Sequence, residues 1–209
     1  QHHAKNWTSE DPDLGLATKH PVTPASMPAS ACLSRKPTTT AAQRRGPMRS
    51  PSRNGDNAHT HSGLEKKIAD FLGMEDTILY AAAFDANGGV FEPLLSAEDA
   101  IISDALNHAS IIDGCRLSRA TVRPYPHGDT AALETMLADT PGHKLVVTDG
   151  VFSMDGDVAR LRELARICKA HDALLMVDDA HGVGVLGEGG RGSVAQLGLS
   201  PDEVPLLVG

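Results

Sequence analysis

Apolar and polar positions change their pattern near residue 61, where a helix is predicted to begin at His61. Ser62-Gly63-Leu64-Glu65 matches a capping box, and Leu64, Ile68, Phe71 and Leu72 fall on one helical face. Short β-rich runs then alternate with stretches of helical periodicity. The predicted strands are Thr77–Tyr80, Ala100–Ser103, Thr121–Tyr125, Leu145–Thr148, Ala173–Val177 and Val204–Val208. The predicted helices are Asp85–Leu95, Ala109–Ser118, Thr130–Ala138 and Val158–His171.

This alternation indicates an α/β fold. Strands that are separated by helices need crossover connections, which favour a mostly parallel sheet sandwiched between helices. We therefore predict one incomplete large domain over residues 61–209. Ligands of such sheets bind at the carboxyl ends of the strands, so the site is expected there.

Residues 1–60 carry no comparable pattern. Val22 to Thr60 is rich in Pro, Ser, Thr, Ala and Arg without an apolar period, so it is predicted to be irregular or disordered. A basic arm that binds an acidic partner is a second interpretation of the same composition. An organellar transit peptide is less favoured, because Glu10, Asp11 and Asp13 precede the basic stretch.

Composition and charge narrow the classes of partner. The formal net charge of −8 argues against nucleic acid or an anionic membrane, because either would need a basic surface. No apolar run reaches the ~20 residues of a membrane span. Cys32, Cys115 and Cys168 form no pattern typical of zinc or redox chemistry and fit a reducing cytoplasm. A small-molecule substrate is expected.

Candidate site residues follow several predicted strands. Ala81-Ala82-Ala83-Phe84 leads into a helix whose N-terminus could bind phosphate, although an ordinary turn capped by Asp85 is the simpler interpretation of this segment alone. His108 could stack on a planar ligand or be a capped, solvated loop residue. Ser153 could offer a hydroxyl from a polar loop, and the absence of Gly-x-Ser-x-Gly around it disfavours serine hydrolysis.

The strongest signal is the apolar strand Leu174-Leu175-Met176-Val177, which ends in Asp178-Asp179-Ala180-His181. Polar groups at the end of a buried strand must be paired or must take part in chemistry, unless the segment is a plain surface turn. A metal site is disfavoured because adjacent aspartates on an extended chain point to opposite faces. A dinucleotide loop is disfavoured too, since no long apolar helix follows the G-x-G-x-x-G match at Gly182–Gly187.

A third interpretation of the tetrad is a site for pyridoxal 5'-phosphate (PLP). One carboxylate, at Asp178, would keep the pyridine nitrogen protonated, so that the ring withdraws electrons from a substrate carbanion. His181 would then form a hydrogen bond near the phenolic oxygen of the ring. Both residues lie at the carboxyl end of one strand, which makes this geometry plausible.

The chain resembles the 2-amino-3-ketobutyrate coenzyme A ligases (glycine C-acetyltransferases) of the α-oxoamine synthase group. The matching segments, in the same order and spacing, are Phe71–Asp76, Phe84–Gly89, Ala100–Gly114, Thr148–Gly156 and Val177–Gly184. The resemblance implies a fold type I PLP domain over residues 61–209. It also implies a homodimer that condenses glycine with acetyl-CoA to 2-amino-3-oxobutyrate and CoA.

The resemblance also implies roles for individual residues. Ala83 and Phe84 would contact the cofactor phosphate, and His108 would stack on the pyridine ring. Ser153 would contact the cofactor as well. Asp178 would pair with the ring nitrogen and His181 would lie near the phenolic oxygen. His108, Asp178 and His181 are therefore the candidate catalytic residues, and no metal is expected.

Two departures from the family pattern shape the expectation. The Schiff-base lysine belongs directly after strand Val204–Val208, and the sequence given stops at Gly209, so this piece alone is expected to be inactive. Residues 22–60 resemble nothing in the family, which suggests a foreign or frame-shifted segment. Another α-oxoamine synthase, such as 8-amino-7-oxononanoate synthase, and a non-catalytic fragment of the fold are the alternatives that remain open.

Overall fold

The computed structural model describes residues 30–33 and 55–209, with seven strands and six α-helices in those ranges. The strands are β1 (Ser30–Leu33), β2 (Asp76–Leu79), β3 (Ala100–Asp104), β4 (Thr121–Tyr125), β5 (Lys144–Asp149), β6 (Ala173–Asp178) and β7 (Leu206–Val208). The helices are α1 (Gly55–Leu72), α2 (Ala83–Leu94), α3 (Ala109–Leu117), α4 (Thr130–Asp139), α5 (Leu161–Ala170) and α6 (Gly192–Gln196). A single 3₁₀ turn, Glu188–Gly190, precedes α6.

All seven strands form one sheet, in the order β2-β1-β7-β6-β5-β3-β4. The pairs β3–β4, β3–β5, β5–β6 and β6–β7 are parallel, whereas β1 runs antiparallel to both of its neighbours. β2 therefore runs in the same direction as β7, and the carboxyl ends of six strands lie at one edge. The predicted α/β class with a mostly parallel sheet is confirmed.

Two apolar layers cover the sheet. Helices α2 and α3 pack on one face, and α1, α4, α5 and α6 pack on the other. Along β5, Leu145 and Val147 face α2 and α3, while Val146 faces the opposite layer. β6 alternates in the same way between Met176 and Val177. Because both faces are buried, these strands consist of continuous apolar runs.

The predicted elements are largely confirmed, with small shifts at their ends. β4 has the predicted limits. α5 starts at Leu161 instead of Val158, because Val158 forms an antiparallel bridge with Val151. β7 starts at Leu206, because the N–H of Val204 closes a turn onto the carbonyl of Ser200.

Two predictions about the N-terminal part were wrong. Helix α1 begins at Gly55, so the capping box at Ser62–Glu65 lies inside the helix; no proline between residues 55 and 61 interrupts it. Strand β1 lies within the segment that was predicted to be irregular, where its short length gave no periodic signal. The remaining predictions for residues 1–60 concern residues 1–29 and 34–54, which lie outside the described residues. Within the described ranges, no helix has both the length and the apolar character needed to span a membrane.

Candidate active site

The carboxyl ends of β5 and β6 place two carboxylates side by side. Asp149 and Asp178 are register partners in this parallel pair, and both side chains are buried. Asp149 continues the alternation of Leu145 and Val147, and Asp178 that of Met176, so both lie on the side of the sheet that α2 and α3 cover. Two acidic groups at this depth need specific partners.

Asp178, the predicted partner of the cofactor nitrogen, is held by two hydrogen bonds. Asn87 Nδ2 donates to Asp178 Oδ2 over 2.6 Å, and the backbone N–H of Ala180 donates to Oδ1 over 3.1 Å. A carboxylate has about four acceptor positions, so it can accept a further donor such as a pyridine N–H. Asp178 is thus oriented by the protein and retains capacity for a ligand.

Asn87 was not recognised as a site residue in the sequence. Its side chain is 0% exposed, and it lies on the buried stripe of α2 with Ala86, Val90 and Phe91. Its Nδ2 also donates to Ser110 Oγ over 2.9 Å. An amide on the apolar face of an amphipathic helix was the one signal that could have identified it, because such a group must find partners when buried.

His108, the predicted stacking residue, caps helix α3 and has an exposed ring. Its Nδ1 accepts a hydrogen bond from the N–H of Ser110 over 3.2 Å and lies 2.7 Å from Ser110 Oγ. Its own backbone N–H donates to Asp149 Oδ2 over 2.9 Å. The structure therefore shows the capped, exposed residue that was one of the two interpretations made from the sequence, and stacking on a planar ligand stays a prediction.

Asp149 was also missed, although it connects the His108 loop to the sheet. Burial, together with the neighbouring charge of Asp178, raises the pKa of the Asp149 carboxyl to about 7. Asn107 supports the same junction: its side chain bonds to the carbonyl of Val147 and to the N–H of Asp149, each over 2.9 Å. The Asn107 amide thus continues the bonding between β3 and β5 beyond the last residue pair of their ladder.

Asp179 points to the other side of the sheet edge. Its side chain is 0% exposed, and its two oxygens accept from the backbone N–H and the hydroxyl of Ser193, each over 2.7 Å. Burial raises the pKa of Asp179 to about 6, although the hydrogen bonds from Ser193 act in the opposite direction. The sequence gave Asp179 no role, and the structure assigns it to anchoring the start of α6.

The glycines of the G-x-G-x-x-G match have structural explanations. A Cβ on Gly182 would overlap the Asp179 carboxylate, and Gly184 and Gly187 have φ angles of 83° and 77°, which favour glycine. The chain reverses direction after Gly184, and the N–H of Gly184 donates to the carbonyl of Gly190. This segment is therefore a compact turn between β6 and the short helix α6.

The other predicted site residues lie at the same edge of the sheet. Ala83 and Phe84 form the first turn of α2, and the N-cap residue Ala82 makes no side-chain capping bond. The proposed cap, Asp85, instead lies within this first turn. Ser153 is exposed in the loop after β5, and His181 is exposed in the turn after β6. Hydrogen bonds through the side chains of Ser110 and Asn87 connect His108 to Asp178. The other four predicted residues are near this site because they follow strands whose carboxyl ends lie at this edge.

The loop that carries Ser153 is fastened by His127. His127 Nδ1 lies 3.0 Å from Asp104 Oδ1, its Nε2 lies 3.5 Å from Asp157 Oδ2, and its ring packs edge-on against Phe152. Burial alone would lower the pKa of His127, but the hydrogen bonds and charges of Asp104 and Asp157 outweigh it and raise this pKa above its ordinary value. His127 therefore links the end of β3 to the loops that follow β4 and β5.

Comparison with known proteins identifies the family. The sequence model described as "Aminotransferase class I and II" matches residues 36–208, most of the chain. The chain belongs to this family. The match begins inside the segment that was predicted to be irregular.

Individual relatives carry two different names. The chain is 63% identical over 149 residues to an 8-amino-7-oxononanoate synthase of Marinobacter nauticus, covering 71% of this chain and 38% of the relative. It is 58% identical over 138 residues to a 2-amino-3-ketobutyrate coenzyme A ligase of Salmonella typhimurium, covering 64% and 35%. The chain thus spans little more than a third of these relatives, and they place it among the α-oxoamine synthases without separating the two activities.

A solved structure supports the same assignment. Serine palmitoyltransferase from S. paucimobilis, in a structure with a bound PLP–myriocin aldimine, superposes with a TM-score of 0.68 at 35% identity. The match covers 71% of this chain and 38% of that one. The predicted cofactor, PLP, is therefore that of the family.

The residues at the sheet edge fit PLP. Asp178 is 6% exposed and can accept a hydrogen bond from a pyridine N–H, and the exposed His108 ring can pack on a planar ring. The first turn of α2 has no side-chain cap, so its backbone N–H groups suit a phosphate. A nitrogen acceptor, a stacking surface and a phosphate-binding helix end are the three features that this cofactor needs.

Proposed function

We propose that the complete protein is a PLP-dependent acyltransferase that condenses glycine with acetyl-CoA to give 2-amino-3-oxobutyrate and CoA, in threonine and glycine metabolism. The observation that carries this proposal is the buried Asp178 carboxylate, which Asn87 orients at the carboxyl end of β6. The likeness to the ligase of Salmonella typhimurium supports the choice of substrates.

Each candidate residue has a distinct task in this proposal. When bound, PLP supplies an electron sink that stabilises a carbanion at the α-carbon of the amino acid. Asp178 accepts the hydrogen bond of the pyridine N–H and keeps that proton in place. His108 packs on the ring, and His181 lies near its phenolic oxygen. The first turn of α2, at Ala83 and Phe84, binds the phosphate.

Ser153 completes the set from the loop after β5, where its hydroxyl can donate a hydrogen bond to the cofactor. His127 supports this task because it fastens the same loop to Asp104 and Asp157. The lysine that would form the Schiff base with PLP is expected directly after β7. The proposed activity is therefore that of the whole protein.

A second candidate function is that of an 8-amino-7-oxononanoate synthase. The 63% identity to the Marinobacter nauticus enzyme favours it directly. The two candidates differ in both substrates. The nine carbons of 8-amino-7-oxononanoate need a seven-carbon acyl group that ends in a carboxylate, and alanine, which supplies carbons 8 and 9 and loses its carboxylate as CO2; 2-amino-3-oxobutyrate combines acetyl with intact glycine. The residues described above contact the cofactor side of the site, so they serve both candidates equally well.

The choice of amino acid and thioester tests the proposal. CoA release by the full-length protein should be measured with glycine or alanine, and with acetyl-CoA or a seven-carbon acyl-CoA that carries a terminal carboxylate. We expect kcat/KM for glycine with acetyl-CoA to exceed that for alanine with the seven-carbon thioester by at least about tenfold. The reverse preference would favour the second candidate, and absence of both CoA release and PLP-dependent visible absorption would favour a non-catalytic relative of the fold.

The proposal extends to location and assembly. The described cysteines Cys115 and Cys168 are free and buried, which supports a reducing compartment such as the cytoplasm. A homodimer is proposed from the likeness to the ligase family. The molar mass of the full-length protein in solution, measured by light scattering, tests this point.

A further inference from the structure

A chain of hydrogen bonds connects the two residues that are proposed to hold the cofactor ring. Asn87 Nδ2 donates one N–H to Asp178 Oδ2 over 2.6 Å and the other to Ser110 Oγ over 2.9 Å. Ser110 Oγ in turn lies 2.7 Å from His108 Nδ1. Asn87 and Ser110 are 0% and 1% exposed, so water does not compete for these bonds.

The orientation of the Asn87 amide follows from its partners. If the amide were rotated by 180°, its oxygen would face a carboxylate oxygen of Asp178 at hydrogen-bond distance, and two acceptors repel. Nδ2 must therefore face Asp178. Among the described residues, no group donates to Asn87 Oδ1, so this buried amide is held in place by its two donor bonds alone.

The orientation of Asn87 determines where the protons lie further along the chain. Ser110 Oγ accepts from Asn87, so its single O–H is left to donate, and His108 Nδ1 is the acceptor at 2.7 Å. The backbone N–H of Ser110 donates to the same nitrogen over 3.2 Å. With two donors directed at it, His108 Nδ1 carries no proton, and the proton of the neutral ring resides on Nε2.

We propose that Asn87 and Ser110 are positioning residues that jointly fix the Asp178 carboxylate and the Nε2–H tautomer of His108 toward the cofactor. The inference rests on the proposed function only in its last step, because the tautomer follows from the protein geometry alone. Neither residue touches the cofactor in this scheme. They act by holding the acceptor for the pyridine nitrogen and the stacking ring in one fixed relation.

The tautomer is tested by ¹⁵N NMR of the full-length protein labelled at histidine, with His108→Gln to identify the resonances. We expect the wild-type His108 ring to have an unprotonated Nδ1 and a protonated Nε2 at pH 8. Ser110→Ala should increase the fraction of rings with a proton on Nδ1. Ser118→Ala is the matched control, because Ser118 is a serine at the opposite end of α3 whose hydroxyl accepts only from the N–H of Ala120.

The link to the cofactor is tested by equilibrium dialysis of PLP with the same proteins. Asn87→Leu preserves approximate size and removes both donors, and we expect it to raise the Kd for PLP by about tenfold. Ser118→Ala should leave this Kd unchanged. Thermal unfolding of each variant establishes that the folded protein is being compared.

The two measurements separate failure of this inference from failure of the proposed function. An unchanged His108 tautomer in both Ser110→Ala and Asn87→Leu would overturn the relay, whatever the PLP affinity. An unchanged PLP affinity in folded Asn87→Leu would overturn the positioning role. If the wild-type protein bound no PLP while the tautomers changed as expected, the proposed function would fail and the relay within the protein would stand.

Discussion

Asp178 and Asp179 are adjacent residues of the same type, but the two sides of the sheet edge use them differently. Asp178 faces α2 and α3, where each of its oxygens accepts one hydrogen bond. Asp179 faces α6, where both of its oxygens are bonded to Ser193 and three glycines, Gly150, Gly182 and Gly192, approach the carboxylate closely.

The difference comes from the alternation of side chains along a strand. A step of one residue moves a carboxylate from a polar network with remaining acceptor capacity to a closely packed structural anchor. A carboxylate can serve a ligand only if its partners leave an acceptor position open. The surroundings of Asp178 meet this condition, and those of Asp179 are occupied by the protein itself.

Replacement of each aspartate by asparagine is expected to give the largest difference between the two sides of the sheet edge. In the full-length protein, we expect Asp178→Asn to lower kcat/KM by on the order of 100-fold, because it removes the charge that holds the proton of the ring nitrogen. Asp179→Asn should instead leave kcat/KM close to that of the wild type and change only the free energy of unfolding, because loss of the acceptor for the Ser193 hydroxyl opposes the removal of a buried charge. Steady-state kinetics and urea unfolding of both variants measure the two effects.

The control is Asp202→Asn, which removes an exposed charge in the turn before β7. It should leave both quantities close to those of the wild type. A large loss of kcat/KM in folded Asp179→Asn, with PLP affinity reduced as in Asp178→Asn, would contradict the division of roles between the two sides.

The sequence predicted the part of the site whose residues are consecutive in the chain. An apolar strand that ends in Asp178-Asp179-Ala180-His181 is a local signal, and the parity of an extended chain already separated the two aspartates. Asn87 could not be assigned in this way, because its partners Ser110 and Asp178 are 23 and 91 residues away. Contacts of this kind become visible only when α2 packs on the sheet.

The fold shows the same division between local and distant signals. Strands buried on both faces gave apolar runs that located β3, β5 and β6 within one or two residues. β1 has four residues and is defined by its pairing with β2 and β7, which lie far along the chain. The glycines around Asp179 were interpreted through their spacing, whereas the structure explains Gly182 by its contact with a side chain.

Gly182→Ala should test the close packing on the Asp179 side. The added Cβ would overlap the Asp179 carboxylate and disturb both bonds to Ser193, so we expect a loss of about 3 kcal/mol in the free energy of unfolding. Gly63→Ala is the matched control, since Gly63 lies in α1 with no atom within 4 Å of an added Cβ. It should stabilise the protein by about 1 kcal/mol through helix propensity. Equal destabilisation by both substitutions would argue against packing on Asp179 as the cause.

The pH dependence of stability should sharpen the description of the Asp178 side. Burial and the charge of Asp178 raise the pKa of Asp149 to about 7 in the folded protein, above the ordinary value of 3.8. Between these two values the folded state binds more protons than the unfolded state, so stability falls as the pH rises from about 4 to about 7. This fall reflects the growing cost of an ionised Asp149 beside Asp178.

Asp149→Asn removes this titration and retains an oxygen that can accept from the N–H of His108. Relative to the wild type, the variant should therefore gain about 2 kcal/mol in the free energy of unfolding between pH 5 and pH 8. Urea unfolding at the two pH values measures the gain, and Asp202→Asn should change it little because Asp202 is exposed. Parallel pH profiles for Asp149→Asn and the wild type would mean that the pKa of Asp149 is not raised in the folded protein. The charge of Asp178 would then have little effect on the ionisation of Asp149.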